Sequence, residues 1–252
     1  MLMSGHVYII GLGPGDQNLQ TIEVAHLLPT LTDLVGYGPY VQRVQAPDTI
    51  CKHISDNREE LDRARHALML AQQGHRVGVV SSGDAGVFAM ASAVFEAIEY
   101  GEPSFKEVEV TVLPGISAMF AAASRLGAPL GHDFCAISLS DNLKPWEIIL
   151  KRLRLAAQAD FVIALYNAVS KARPWQLDTA FDLLREELPL DIPVAFCQAI
   201  SRENEHIEIT NLKEAKASMG NMQTLVLIGS RYSKLLTTQK KTWFYTPRSL
   251  KL

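Results

Sequence analysis

The sequence is short of the features that mark most specialised proteins. Only three cysteines occur among 252 residues, Cys51, Cys135 and Cys197, far apart and in no CxxC pair. That excludes a disulfide framework and a cysteine-based zinc module, and it fits a reducing cytoplasm. The seven histidines show no metal-ligand spacing and no Ser/His/Asp order. The sequence therefore supports neither a metalloenzyme nor a hydrolase, and no metal is expected. Long apolar runs are missing as well. The uncharged window Val110 to Ser124 is short for a membrane span and contains Pro114 and Gly115, so no membrane helix is expected. The opening MLMSGH has no basic segment ahead of an apolar one, which predicts no signal peptide. There is no basic excess, since the net charge is −3, and this argues against a dedicated nucleic-acid binder. The exception is local: Arg231 to Lys251 carries six Lys/Arg and no acid, and reads as a solvated, partly frayed tail.

What is present is alternation. Short apolar runs at Val7–Ile10, Val77–Val80, Val108–Leu113, Phe134–Leu139, Phe161–Leu165, Val194–Phe196 and Leu225–Ile228 read as strands. Amphipathic helices lie between several of them. Asn57 with Glu60 resembles a capping box, followed by an apolar face of Leu61, Ala64, Leu68 and Ala71 that stops at Gly74. Pro145 suits a first helical turn, with Trp146, Ile149, Leu150, Leu153 and Ala157 as the buried stripe. Leu177, Ala180, Phe181, Leu184 and Leu188 form a third stripe. This pattern predicts an α/β fold with crossovers covering a largely parallel sheet. Ile207 and Ile209 alternate with polar residues, as in a half-exposed antiparallel strand. A boundary at Leu113–Ser117 gives an N-terminal α/β domain over 1–114, a C-terminal α/β domain over 115–235, and a basic tail over 236–252. A cleft between two such domains is a common ligand site.

Five motifs carry candidate chemistry. In GLGPGD, Gly11 to Asp16, a dinucleotide fingerprint would need glycine where Asp16 stands, and a P-loop would need a lysine. Pro14 removes one amide that could face an anion. The loop also suits a tight strand-to-helix turn, with Asp16 near the next helix N-terminus. In VVSSGDAGVFAMA, Gly83, Ala85 and Gly86 let a ligand approach the backbone at a strand's carboxyl end. Asp84 either anchors that ligand or caps the following helix. LPGISA places Ser117 and Ala118 at the opening of a small-residue helix. ALYNAVSKAR delivers Tyr166 and Asn167 at a strand end, with Lys171 and Arg173 beyond, a pattern suited to a carboxylate-rich ligand. TLVLIGS begins at Thr224 and Leu225 and reads as a core strand.

GLGPGD, SSGDAG, LPGISA, ALYN and TLVLIG, in that order across nearly the whole chain, resemble the tetrapyrrole methylases. The longer stretches VVSSGDAGVFAMA, GHDFCAISLSDNLKPWE and ALYNAVSKARPWQL resemble the members that act on C17 of precorrin-3B in cobalamin biosynthesis. Two positions depart from the usual pattern: Phe88-Ala89 stands where Tyr-Gly is common, and Ala168 where Pro often follows Tyr-Asn. The resemblance implies two α/β domains with a ligand cleft between them, S-adenosylmethionine as cofactor with S-adenosylhomocysteine as product, a cytoplasmic homodimer, and neither nucleic-acid nor membrane partners. It implies cofactor contacts at Pro14, Gly83, Asp84, Ala85, Val87, Ser117, Ala118, Tyr166, Asn167, Thr224 and Leu225. For a polyanionic macrocycle, Lys171 and Arg173 are the first cation candidates, with Lys144 behind them. Asp16, Tyr40 and Asp141 are candidates for proton handling or for holding pyrrole nitrogens, though Asp141 equally suits a cap for the helix near Pro145. The competing readings are an anaerobic enzyme acting on cobalt-factor III, an RNA ribose methyltransferase of the same fold, a dinucleotide-dependent oxidoreductase disfavoured by Asp16, and a non-catalytic binding module.

Overall fold

A computed structural model describes residues 5–56, 59–170 and 172–249. Asn57, half of the expected capping box, and Lys171 lie outside the described residues. The chain forms two compact units, Met1–Ala118 and Met119–Leu252.

The first unit runs β1 (His6–Gly11), α1 (Ile22–Leu27), β2 (Asp33–Tyr37), α2 (Gly38–Val41), β3 (Cys51–Ser55), α3 (Glu60–Gln72), β4 (Arg76–Ser81), α4 (Met90–Tyr100) and β5 (Glu109–Leu113). Its sheet has the order β3-β2-β4-β1-β5 with every pair parallel. Period-two alternation sorts the strand residues to two sides. Val7, Ile9, Val35, Val77 and Val79 pack with Ala64, Leu68 and Ala71 of α3 and Val94 and Ala97 of α4. Ile10, Leu34 and Val80 pack on the other side with Val24, Leu28 and Val41. Burial of both faces is why β1 and β4 read as continuous apolar runs. Leu61, expected on the buried stripe of α3, is 41% exposed. Arg63 is buried near that end of the helix instead, with its Nε donating to Ser55 Oγ at 2.8 Å and Nη2 to the Asp56 carbonyl at 2.5 Å. The cap residue of α3 is Glu59, without a side-chain cap bond.

After α5 (Ala118–Leu126), the second unit continues with β6 (Gly127–Ala128), β7 (Phe134–Ser138), α6 (Trp146–Gln158), β8 (Val162–Tyr166), α7 (Gln176–Glu187), β9 (Pro193–Gln198), β10 (His206–Asn211), β11 (Thr224–Ile228), β12 (Lys234–Thr237) and β13 (Thr242–Tyr245). Its main sheet, β10-β9-β11-β8-β7, is parallel only between β7 and β8. The expectation of a largely parallel sheet therefore holds for the first unit and fails for the second. No α-helix lies between β9 and β10, so the chain reverses and these two strands pair antiparallel without a helical crossover; β11 then enters on the other side of β9, running against both β9 and β8. Helices α6 and α7 cover one face, setting Ile149, Leu153, Leu177, Phe181 and Leu184 against Ile163, Leu165, Phe196 and Val226.

Of the residues expected to form a frayed tail, those from 231 to 249 are described and include two strands, while Leu250 and Lys251 lie outside the described residues. Strands β12 and β13 form a hairpin that joins β6 in a small sheet. Phe244 is fully buried there, and Lys241 Nζ lies 4.3 Å from the Trp243 ring centroid. A basic composition does not prevent a strand whose one inward aromatic is buried. Among the described residues, no helix is long and apolar enough to cross a membrane.

Phe181 and Phe196 are both fully buried and meet edge to face at 5.9 Å. Phe181→Ala is expected to destabilise the second unit by about 3–5 kcal/mol, measured by urea unfolding followed by circular dichroism.

Candidate functional site

In the first unit, the loops after β1, β4 and β5 converge beyond the carboxyl ends of their strands. The Leu12 amide donates to the Ser81 carbonyl at 2.9 Å, and Gly13 and Gly83 exchange two backbone bonds at 3.0 and 2.8 Å. Both glycines have positive φ, 76° and 71°, a region that costs other residues strain. Asp84 ties the third loop in. Its Oδ1 accepts from the Gly86 amide at 2.8 Å and its Oδ2 from the Gly115 amide at 3.0 Å. Helix α4 begins only at Met90, whose amide donates to Ser81 Oγ at 3.3 Å, so Asp84 does not cap it. The approach is so close that a Cβ on Gly115 would lie 2.2 Å from the Gly83 oxygen and 2.6 Å from the Gly11 oxygen.

Around this knot, Pro14, Gly83, Ala85 and Ser117 are buried, while Val87 and Ala118 are half-buried. Asp16 is exposed and caps a short 3₁₀ turn, its Oδ1 accepting from Asn18 N at 2.9 Å and Asn18 Nδ2 at 3.0 Å. Tyr40 sits on α2, just past the carboxyl end of β2, edge-on to Tyr37 at 5.2 Å with Arg43 at 5.3 Å from its ring centroid. A cavity of about 240 Å³ lies beside the glycine loop, lined by Leu12, Gly13, Gly15, Gln17, Gln20 and Arg43 among others.

In the second unit, sheet register gathers the remaining candidates at one edge. Tyr166 pairs with Ser138, and Thr224 pairs with Gln198. Because β11 runs against β8 and β9, its amino end meets their carboxyl ends. Asn167 has φ 51° and donates from Nδ2 to Ser138 Oγ at 2.9 Å. Tyr166 Oη accepts from the Met119 amide at 3.1 Å, in the first turn of α5. Thr224 Oγ1 accepts from Asn221 N at 2.8 Å and donates to Asn221 Oδ1 at 3.2 Å. Asn221 Nδ2 donates to Gln198 Oε1 at 3.0 Å, and Gln198 Nε2 donates to the Met219 carbonyl at 2.9 Å. Leu225 is buried.

Arg173 organises the loop after β7. Its Nη1 lies 2.9 Å from Ser140 Oγ, from Asp141 Oδ1 and from Asn142 Oδ1, and its Nε donates to Ser170 Oγ at 3.2 Å. The bond from Arg173 holds the Asp141 carboxyl below the usual carboxylate range. Asp141 does not cap α6, whose cap residue is Pro145 with no side-chain bond. Burial, and then the charge of Arg152, lower the pKa of Lys144.

Residues 6–216 match the family described as Tetrapyrrole (Corrin/Porphyrin) Methylases. This chain is a tetrapyrrole methylase. It is 53% identical to the precorrin-3B C(17)-methyltransferase of Sinorhizobium sp over 248 residues, which is 98% of this chain and 97% of that protein. It is 41% identical to a probable cobalt-factor III C(17)-methyltransferase of Salmonella typhimurium, across 88% of this chain and 92% of that protein. A crystal structure of the methyltransferase CobJ superposes with a TM-score of 0.93 at 50% identity, covering 97% of this chain and all of that one.

For the methylase, the structure gathers the residues expected to contact the cofactor, in each unit, at one edge of that unit's sheet. It separates their roles from what residue type alone suggested. Asp84 is a clamp on backbone amides, and Arg173 with Asp141 forms an ion pair between two loops. Sequence reasoning missed Ser138, Gln198, Asn221 and Arg43. The first two end the observed strands β7 and β9, within a residue or two of where the apolar runs Phe134–Leu139 and Val194–Phe196 stop, and strand-end position is the signal that could have found them. Asn221 and Arg43 sit in turns that no pattern marked.

Gly115→Ala is expected to force the three loops of the knot apart. Binding of S-adenosylhomocysteine, read by titration calorimetry, should weaken by at least about tenfold, the equivalent of about 1.4 kcal/mol. Unchanged binding would show that the knot is dispensable.

Proposed function

We propose that this methylase transfers the methyl group of S-adenosylmethionine to C17 of precorrin-3B, with contraction of the macrocycle to precorrin-4, in cobalamin biosynthesis. The carrying observation is identity of 53% spread over 98% of the chain with a precorrin-3B enzyme. Identity with the cobalt-factor III enzyme is 41%, which makes the anaerobic reaction the second reading.

The strand-end residues fit the proposed donor. Neither 11–20 nor 81–89 contains a lysine or arginine, so these loops offer no cation to a phosphate. The charge of Asp84 is met by two backbone amides and is compatible with a nearby cation. When bound, S-adenosylmethionine supplies an activated methyl group. Pro14, Gly83, Asp84, Ala85 and Val87 hold its methionine and ribose parts, with Ser117 and Ala118 adding contacts. Tyr166, Asn167, Thr224 and Leu225 surround the adenine, and the bond from Asn167 to Ser138 fixes that side chain.

Methyl transfer is an in-line displacement by a carbon already rich in electrons, so rigid alignment contributes most of the rate. The backbone knot of the first unit suits that task. The substrate's carboxylates call for cations, which Lys171, Arg173, Lys144 and, at the cavity wall, Arg43 supply. An anionic substrate beside Lys144 favours its charged form and opposes the effect of burial. Ring contraction requires proton transfers, for which Asp16 and Tyr40 are the candidates. Asp141, held ionised by Arg173, suits a base or an anchor for pyrrole nitrogens better than an acid.

The purified chain with methyl-labelled S-adenosylmethionine should transfer label to precorrin-3B and yield a contracted ring by product mass and carbon NMR. Turnover confined to cobalt-factor III would select the second reading. Transfer to neither macrocycle would reject both.

A further inference from the structure

At the opposite edge of the first sheet, where β2, β3 and β4 begin, lies a second polar cluster that the methyl-transfer reading does not use. Parallel pairing sets Asp33 beside Cys51 and Val35 beside His53, and alternation puts all four side chains on one face. Asp33 is 3% exposed, an unusual place for a carboxylate unless it is well partnered. Its Oδ1 lies 2.8 Å from His53 Nε2, and its Oδ2 lies 2.6 Å from both His75 Nδ1 and Thr32 Oγ1. His53 Nδ1 in turn lies 3.0 Å from His66 Nε2 on α3.

We propose that Asp33, Cys51 and His53 bind one zinc ion. One ligand atom from each lies within 4.8 Å of the others. Tetrahedral zinc, with bonds of about 2.0–2.3 Å, separates its ligand atoms by about 3–4 Å, so closure needs only small side-chain movements. Thiolate, imidazole and carboxylate together suit zinc and its substitute cobalt better than magnesium or calcium. The surrounding residues are arranged as metal sites require. His66 meets the far nitrogen of His53, while His75 and Thr32 hold the far oxygen of Asp33. Cys51 is exposed, which admits the ion and leaves room for water as a fourth ligand.

Proton accounting is consistent. On binding, the Cys51 thiol releases its proton to solvent. The His53 imidazole keeps one proton but exchanges it through solvent from Nε2 to Nδ1, and His66 makes the matching exchange from Nε2 to its own Nδ1, so that His66 Nε2 changes from donor to acceptor in the bond between them. The site would pin β3, the edge strand, to β2.

The test is titration of Co²⁺ into untagged, chelator-treated full-length protein. Expected are one bound equivalent, a thiolate-to-cobalt charge-transfer band, sub-micromolar affinity, and displacement by Zn²⁺. Cys51→Ser should abolish the band while preserving far-ultraviolet circular dichroism and methyl transfer. His66→Phe should keep the stoichiometry and weaken binding about 10–100-fold. Absence of the band, its persistence in Cys51→Ser, or affinity weaker than micromolar would overturn the proposal.

Discussion

The candidate site depends on backbones being allowed to touch. Gly11, Gly83 and Gly115 bring three strand-end loops so close that a methyl group on Gly115 would collide with two carbonyl oxygens. Such contact leaves amides needing partners, and Asp84 supplies them through both oxygens. Glycine makes the approach possible and the carboxylate makes it rigid. A rigid loop cluster without cations can present a non-phosphate ligand in one orientation, which is the requirement of an in-line displacement.

The second unit meets the same requirement by a different device. Its strand β11 runs against its neighbours, so the start of one strand joins the ends of two others. That reversal gives Thr224 a place beside Gln198 and near Asn167. Side-chain hydrogen bonds among Thr224, Asn221 and Gln198 then fix a turn. A wholly parallel arrangement would have carried Thr224 to the far edge of the sheet.

Much of this was legible in the sequence, and the omissions have physical causes. Strands β1, β4, β8 and β11 are buried enough to appear as apolar runs, and α6 and α7 carry clean stripes. Strand β2 begins with the charged Asp33, and β3 is an edge strand with an exposed cysteine and polar neighbours, so neither announces itself. The reversed direction of β11 is a matter of pairing, which periodicity does not encode. The ion pair of Arg173 and Asp141 joins residues far apart in the chain, so neither alone disclosed its partner. The histidine–aspartate cluster was invisible for the same reason: parallel register, rather than sequence spacing, assembles it.

The central claim is that Asp84 shapes the proposed cofactor site by holding backbone amides. Titration calorimetry of S-adenosylhomocysteine against Asp84→Asn tests it most directly, because the amide side chain keeps the shape but has only one oxygen to accept with. The account predicts affinity lower by about 10–100-fold, as expected when the half-buried Gly115 donor loses its partner. Affinity equal to that of the unaltered protein would contradict it.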